Sequence, residues 1–179
     1  VAGTNGKGST IAFLTALASE HGLSYGSFTS PSIVDVHDQI QINSIPVTEK
    51  QMDNAFALMQ KRGISGMLTD FELLTVAAFL IFETVELDVL FIEAGMGGRL
   101  DSTNVMKNSV AVIPSISIDH TNFLGETIEK ISWHKAGILK ANSQLVIGPL
   151  LEPAKKIMYK EAEEKNATVI EYDIDFRVV

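Results

Sequence analysis

The sequence predicts an α/β domain built as a mostly parallel sheet with helices on both faces, and three observations predict it. Short apolar runs of strand length alternate with longer runs of helix length, the order that builds parallel sheets through crossover helices. The stretch Asp88-Val89-Leu90-Phe91-Ile92 is continuously apolar after its first residue, as a central parallel strand covered on two sides must be. Gly3-Thr4-Asn5-Gly6-Lys7-Gly8-Ser9 is a glycine-rich turn with one lysine, set directly before a helical pattern. Such turns let backbone N–H groups converge on phosphate oxygens while the lysine supplies a point charge, so the fold reads as P-loop NTPase-like.

In chain order, Val1 and Ala2 read as the stub of the strand that delivers the turn, and no initiator Met precedes them; the expectation is a piece of a longer protein. Residues 10–20 read as a helix with Ile11, Leu14, Leu17 and Ala18 on one face and its positive end on the anion. It stops at Gly22, and residues 24–29 read as a short strand. Residues 30–46 form a long polar connection in which Gln39-Ile40-Gln41-Ile42 alternates as an edge strand does. Thr48 to Gln51 spells a capping box before a helix over 52–61, closed by Gly63. Thr69 to Glu72 spells a second, before a helix over 71–82 that is apolar nearly all round and so expected to be buried. After the strand 88–92, strands are expected at 110–113 and 116–118, with Pro114 between them. A helix over 127–138, a strand at 145–147, a helix over 154–164 and a strand at 169–172 follow, and a last run, 174–179, ends the chain.

At 179 residues the chain fills one α/β domain. A hydrophobic fraction of 46% excludes disorder. The longest apolar run, 76–82, is far short of the ~20 residues of a membrane span, and no secretory or transit segment is visible. With no cysteine there is neither a disulfide framework nor a thiolate zinc site, which fits a cytoplasmic protein. A net charge of −8 argues against a nucleic-acid surface, since phosphate backbones are bound by clustered Lys and Arg.

The spelling of the turn carries more. A Walker loop places Ser or Thr directly after the lysine to hold magnesium. Here Gly8 stands there and Ser9 follows one residue late, so a metal ligand must come from elsewhere. Ligands of open α/β sheets bind beyond the carboxyl ends of strands, and the expected strands end in Thr29-Ser30-Pro31, in Glu93 and in Asp119-His120. Glu93 is the natural magnesium carboxylate, the alternative being a capping or solvated Glu. Ser30 could supply the missing hydroxyl or merely shape a turn. His120 reads equally as a structural residue, and Lys135, on its helix, reads from the residues alone as a surface cation.

Together these motifs resemble the folylpolyglutamate synthases, including the bifunctional dihydrofolate synthases, within the Mur ligase superfamily. The resemblance rests on Gly3 through Ser9, Thr29-Ser30-Pro31 and Phe71-Glu72-Leu73-Leu74-Thr75. It rests also on Glu93-Ala94-Gly95-Met96-Gly97-Gly98-Arg99-Leu100-Asp101-Ser102-Thr103-Asn104, on Asp119-His120 and on Lys135-Ala136-Gly137-Ile138. It implies that residues 1–179 are the ATP-binding central domain, incomplete at both ends, with the glutamate-binding C-terminal domain absent. By the same resemblance Asn5, Gly6, Lys7, Gly8 and Ser9 bind ATP phosphates, and Ser30, Glu93 and His120 ligate two Mg2+ ions. Lys135 is a lysine carbamylated in the family; with Lys7 and His120 it makes up the catalytic set. Phe71, Glu72, Leu73 and Leu74, with Leu100, Asp101 and Ser102, contact the pterin-bearing substrate.

The implied reaction is ATP-dependent addition of L-glutamate to a reduced folate or dihydropteroate carboxylate through an acyl phosphate. The implied partners are those small molecules, with no nucleic acid and no membrane, and the full-length enzyme is a monomer. The chain departs from the family's usual spelling at Ser32 (usually His), at Gln39 (usually Arg) and at Asn43-Ser44 (usually Asn-Gly). Two other readings stay open: a Mur-type UDP-muramoyl amino-acid ligase, disfavoured by Gly8 and the 99–104 block, and a non-catalytic nucleotide-binding module. A simple P-loop kinase or GTPase is disfavoured by the absent post-lysine hydroxyl.

Overall fold

A computed structural model describes residues 1–64 and 66–177; Ser65, Val178 and Val179 lie outside the described residues, so the run expected at 174–179 is seen only to residue 177. The chain divides into two units, one of Ile11–Glu93 and one of Val1–Thr10 with Ala94–Val179.

Helix α1 (Lys7–Glu20) starts three residues before the expected helix, because Gly6 at φ 82° turns the chain and its carbonyl accepts from the Thr10 N–H at 2.9 Å. Lys7, Gly8 and Ser9 are therefore the first turn of the helix rather than loop. The expected apolar face is only partly buried: Ile11 and Ala18 are inside, whereas Leu17 is exposed and Phe13 beside it more so. Leu17 and Phe13 form an i, i+4 stripe facing out, and nothing within the unit covers it.

In the Ile11–Glu93 unit β1 (Tyr25–Phe28) is followed by a 3-10 turn (Val36–Gln39), β2 (Ile40–Ile42), β3 (Ile45–Pro46), α2 (Glu49–Lys61), α3 (Asp70–Phe82) and β4 (Val89–Ile92). The sheet order is β3-β2-β1-β4, with β2 and β3 an antiparallel hairpin on the edge and β4 parallel to β1 in the register Phe28↔Ile92. Both capping boxes form as read from the sequence, Thr48 with Gln51 and Thr69 with Glu72. The core gathers Phe28, Ile40, Ala77, Ala78, Ile81 and Phe82.

In the other unit a 3-10 turn (Ser102–Val105) precedes β5 (Val110–Ile113), α4 (Thr121–Leu124), α5 (Ile128–Ala136), β6 (Gln144–Ile147), α6 (Glu152–Glu164) and β7 (Thr168–Glu171). The order β5-β6-β7 is parallel throughout, with Ile113, Ile147 and Glu171 level at the carboxyl ends. The N-terminal stub lies along β5, the Ala2 N–H donating to Val112 O at 3.0 Å. The strand expected at 116–118 does not form. Its backbone is used by the glycine turn instead: Ser117 N donates to Thr4 Oγ1 at 3.0 Å, next to Ser115 O, which accepts from Thr4 N at 3.0 Å. Among the described residues no helix is long and apolar enough to cross a membrane.

A candidate nucleotide and substrate site

The glycine turn is fastened to the carboxyl end of β5. Thr4 Oγ1 donates to Ser117 O at 3.2 Å, Asn5 N donates to Ser115 Oγ at 3.0 Å, and Ser115 Oγ donates back to Asn5 O at 2.9 Å. Gly3 passes so close to Pro114 that a Cβ would meet its ring at 3.2 Å, a contact tighter than most side chains accept. Lys7 Nζ reaches back over the turn to Gly3 O at 3.2 Å. The first N–H groups of a helix lack intrahelical acceptors, and the first turn of α1 carries no acidic residue. The turn is thus built to receive an anion.

In the same unit Lys135, expected from its residue type alone to be a surface cation, is 3% exposed in the last turn of α5. Burial pushes its ammonium down to a pKa of about 8; repulsion from Lys7 adds to this, and Asp119 opposes it. Two cations near enough to repel mark a place where negative charge is wanted. His120 stands at the head of α4 in a left-handed conformation, φ 49° and ψ 38°, strained for a residue with a Cβ. Its Nε2 lies 3.6 Å from Asp119 Oδ2, with both side chains half exposed. His134 is held below the usual imidazole range, first by burial and then by the neighbouring charges of Arg99 and Lys135.

The block over 97–104 behaves differently from a bare binding loop. Asp101 accepts from Met96 N at 2.9 Å through one carboxylate oxygen and from Thr103 N and Oγ1 through the other, so it shapes its own turn. Leu100 is 83% exposed. Arg99 Nη2 donates to the buried Glu161 at 2.6 Å, and its guanidinium lies 4.1 Å over the Trp133 ring. A groove of about 480 Å³ between α4 and α5, lined by Phe123, Lys130, Trp133 and their neighbours, contains none of the expected site residues.

In the Ile11–Glu93 unit, Ser30 and Glu93 come together. The Phe28↔Ile92 register sets the residues after β1 and β4 side by side, and Ser30 N donates to Glu93 Oε2 at 3.3 Å. Glu93 is 3% exposed, against the reading of a solvated Glu. The Ser30–Pro31 peptide is cis. A buried carboxylate beside a serine is a hard oxygen donor set that suits magnesium. Among the described residues no three His, Cys, Asp or Glu side chains gather as a ready-made metal cage. Phe71 stacks on Phe28, 5.7 Å between centroids, and Glu72 spends its carboxylate on the Thr69 cap; Leu73 and Leu74 follow in the same first turns of α3, half-buried.

Residues 1–177 match the model of the Mur ligase middle domain. The chain belongs to that family. It is 41% identical over 175 residues to the dihydrofolate synthase/folylpolyglutamate synthase of Bacillus subtilis (strain 168), covering 93% of this chain and 40% of that protein. Identity to the enzyme of the same name from Haemophilus influenzae is 38% over 176 residues, 98% of this chain and 40% of that protein. Among solved structures, an FPGS–AMPPCP complex matches with a TM-score of 0.94 at 34% identity, over 99% of this chain and 46% of that one. E. coli FolC in complex with DHPP and ADP matches with a TM-score of 0.91 at 33% identity, over 98% of this chain and 42% of that one. The chain thus spans less than half the length of these relatives. The α/β architecture read from the sequence is the architecture of this middle domain.

Two buried acids escaped the sequence reading. Burial alone would raise the Glu161 carboxyl, but Lys165 at 2.7 Å and Arg99 hold it below its usual range. Glu171, at the end of β7, is held low by Lys155 and Tyr159 and in turn pushes the Tyr159 phenol up to about 12. Lys165 stands four residues after Glu161, a visible helical pair; Arg99 is 62 residues away, and no sequence signal links it.

Proposed function

We propose that this chain is the ATP-binding part of a ligase that adds L-glutamate to the carboxylate of a reduced folate or of dihydropteroate. The observation that carries the reading is the glycine turn fastened beyond the carboxyl end of β5, with Lys7 and the N-terminus of α1 behind it. The kinship with dihydrofolate synthase/folylpolyglutamate synthases supplies the acceptor class. Residues 1–179 are read as one ATP-binding middle domain, cytoplasmic, in an enzyme that works as a monomer.

A carboxylate is a poor electrophile, because direct attack by an amine would expel oxide. Transfer of the γ-phosphoryl group of ATP to the carboxylate oxygen gives an acyl phosphate and ADP; the glutamate amine then attacks the carbonyl, and phosphate leaves as the amide forms. In this reading Asn5, Gly6, Gly8 and Ser9 line the turn that holds the phosphates, and Lys7 offsets their charge. Ser30, Glu93 and His120 would hold Mg2+, which when bound adds charge neutralisation on the transferring phosphoryl group. Lys135, with its amine pushed towards neutrality, is suited to add CO2 and lose a proton, and the carbamate would orient metal and phosphate. Phe71 to Leu74 and Leu100 to Ser102 would border the acceptor.

The test is ATP-dependent glutamate incorporation by the protein that carries this chain, with dihydropteroate, tetrahydrofolate and UDP-muramoyl-alanine compared as acceptors. Turnover with either folate acceptor supports the proposal. Turnover with the muramoyl acceptor alone makes it a cell-wall ligase, and nucleotide binding with no turnover makes it a binding module. In the same assay Glu93→Gln is expected to abolish magnesium-dependent turnover with the circular dichroism spectrum unchanged; retained turnover removes Glu93 from the metal site.

A further inference from the structure

We propose that Arg99 and Asn104 are positioning residues for Lys135, acting by capping the end of the helix that carries it. The inference rests on the proposed catalytic role of Lys135. The last carbonyls of an α-helix have no intrahelical donor, and many helices answer this with a left-handed C-terminal residue. Helix α5 does not: Gly137 stays right-handed at φ −62° and ψ −14°. The chain's own N–H groups serve part of the end, Gly137 to His134 O at 3.3 Å, Ile138 to Lys135 O at 3.3 Å and Leu139 to Ala136 O at 3.0 Å, and residues 99–108 supply further donors. Arg99 Nε donates to Trp133 O at 3.2 Å and Arg99 N to His134 O at 2.7 Å. Asn104 Nδ2 donates to Gly137 O at 3.1 Å and Asn108 Nδ2 to Ile138 O at 2.9 Å.

Asn104 and Arg99 are themselves held. Lys140 Nζ donates to Asn104 Oδ1 at 2.8 Å, which turns the amide so that its NH2 faces Gly137. Arg99 is fixed from the far side by Glu161 and covered by the Trp133 ring. Contact is tight: a Cβ on Gly137 would lie 2.2 Å from Arg99 Cβ and 2.5 Å from its Cα. The block and the last turn of α5 therefore move as one piece, and Lys135 sits in that turn with its amine buried. A shift of the guanidinium displaces the backbone that aims the amine, and misplacement by about 1 Å can cost about 10²-fold in rate. Leu100, Asp101 and Ser102 lie inside the same piece, so the block ties the acceptor-facing residues of the proposed site to Lys135.

The experiment compares kcat and KM for ATP in the protein that carries this chain, for the parent, Arg99→Ala, Arg99→Lys, Asn104→Ala and Lys155→Met. Lys155→Met breaks the ion pair with Glu171 in the same unit without touching the clasp, and serves as the control for lost stability. Arg99→Ala is expected to lower kcat by about 10²-fold with KM for ATP nearly unchanged. Asn104→Ala is expected to do the same to a lesser degree. Arg99→Lys keeps the charge but not the second donor and falls in between. Lys155→Met keeps kcat within about 2-fold of the parent at a matched loss of Tm. An Arg99→Ala protein with parental kcat, or a control that loses as much kcat, overturns the proposal. Should the parent prove inactive with every acceptor, the ligase reading fails, and the clasp is read by hydrogen exchange in the last turn of α5 and by the rate at which an amine-reactive reagent labels Lys135. Faster exchange and labelling in Arg99→Ala, with exchange in β5 and β6 unchanged, support it; unchanged rates overturn it.

Discussion

Two loops that follow the carboxyl ends of strands are held in opposite ways. The one over 97–104 is fastened by hydrogen bonds that span the sequence, 34 residues from Arg99 to Trp133, 33 from Asn104 to Gly137 and 62 from Arg99 to Glu161. The one between Ser30 and β2 is held by itself. Asp38 accepts from the N–H groups of Ile33, Val34 and Asp35, all within five residues, and Asp35 accepts from the His37 N–H. Ile33 and Val34 stand out at 94% and 88% exposure. A loop that satisfies its own backbone places few demands on residue identity elsewhere. A clasp fitted to a distant helix end demands particular donors at particular positions. Two of the departures from the family spelling, Ser32 and Gln39, fall in or at the end of the self-contained loop, and the third, Ser44, in the hairpin turn beyond it; none falls in the clasp.

Gly137→Ala strikes the clasp hardest, because its new methyl overlaps the Arg99 backbone; a loss of about 4 kcal/mol is expected in urea denaturation, at the upper end for one methyl. Parental stability would mean that the two segments separate easily.

Lys135→Met tests the buried amine itself. Its folded pKa of about 8 lies below the unfolded value of 10.5, so between those limits the unfolded chain binds the extra proton and stability rises with pH. In bicarbonate-free buffer the methionine variant is expected to be more stable than the parent at pH 7 by about 3 kcal/mol. The gap should close as the pH climbs from 8 to 10.5. A pH-independent gap in chemical denaturation would show that burial does not control this titration.

The self-contained loop should respond weakly. Asp38→Ala removes the carboxylate that accepts from three backbone N–H groups in a largely exposed segment, and about 1 kcal/mol is expected, with faster hydrogen exchange confined to residues 31–39. Effects reaching α3 or β4 would show the loop to be less separate than its bonds suggest.

The smallest effect is at the hairpin. Ser44 holds φ 62°, which costs about 1 kcal/mol for a residue with a Cβ, but its hydroxyl meets Tyr25 OH at 2.8 Å. Ser44→Gly should therefore leave Tm nearly unchanged, and should stabilise by about 1 kcal/mol only in a Tyr25→Phe background, where that bond is already gone. A gain in both backgrounds would mean the hydroxyl pair contributes nothing.

The elements legible in the sequence were those fixed by neighbouring residues. Both capping boxes, the parallel strand 89–92, the edge strand after Gln39 and the glycine turn all lie within a few positions of their own cause. The strand expected at 116–118 failed because alternating apolar residues say nothing of a distant threonine that claims the same backbone. Leu17 failed likewise, since periodicity gives a face and not what covers it.

Sequence by itself determined the α/β class, the glycine turn ahead of a helix and both capping boxes, because local backbone preference and side-chain type are written residue by residue. Tertiary structure alone decided that Lys135 is buried with a lowered pKa, and that Glu93 reaches Ser30 through strand register. It also decided that Arg99 and Asn104 close the end of α5. Burial, register and long-range hydrogen bonding depend on which distant segments meet, and that is settled only when the chain packs.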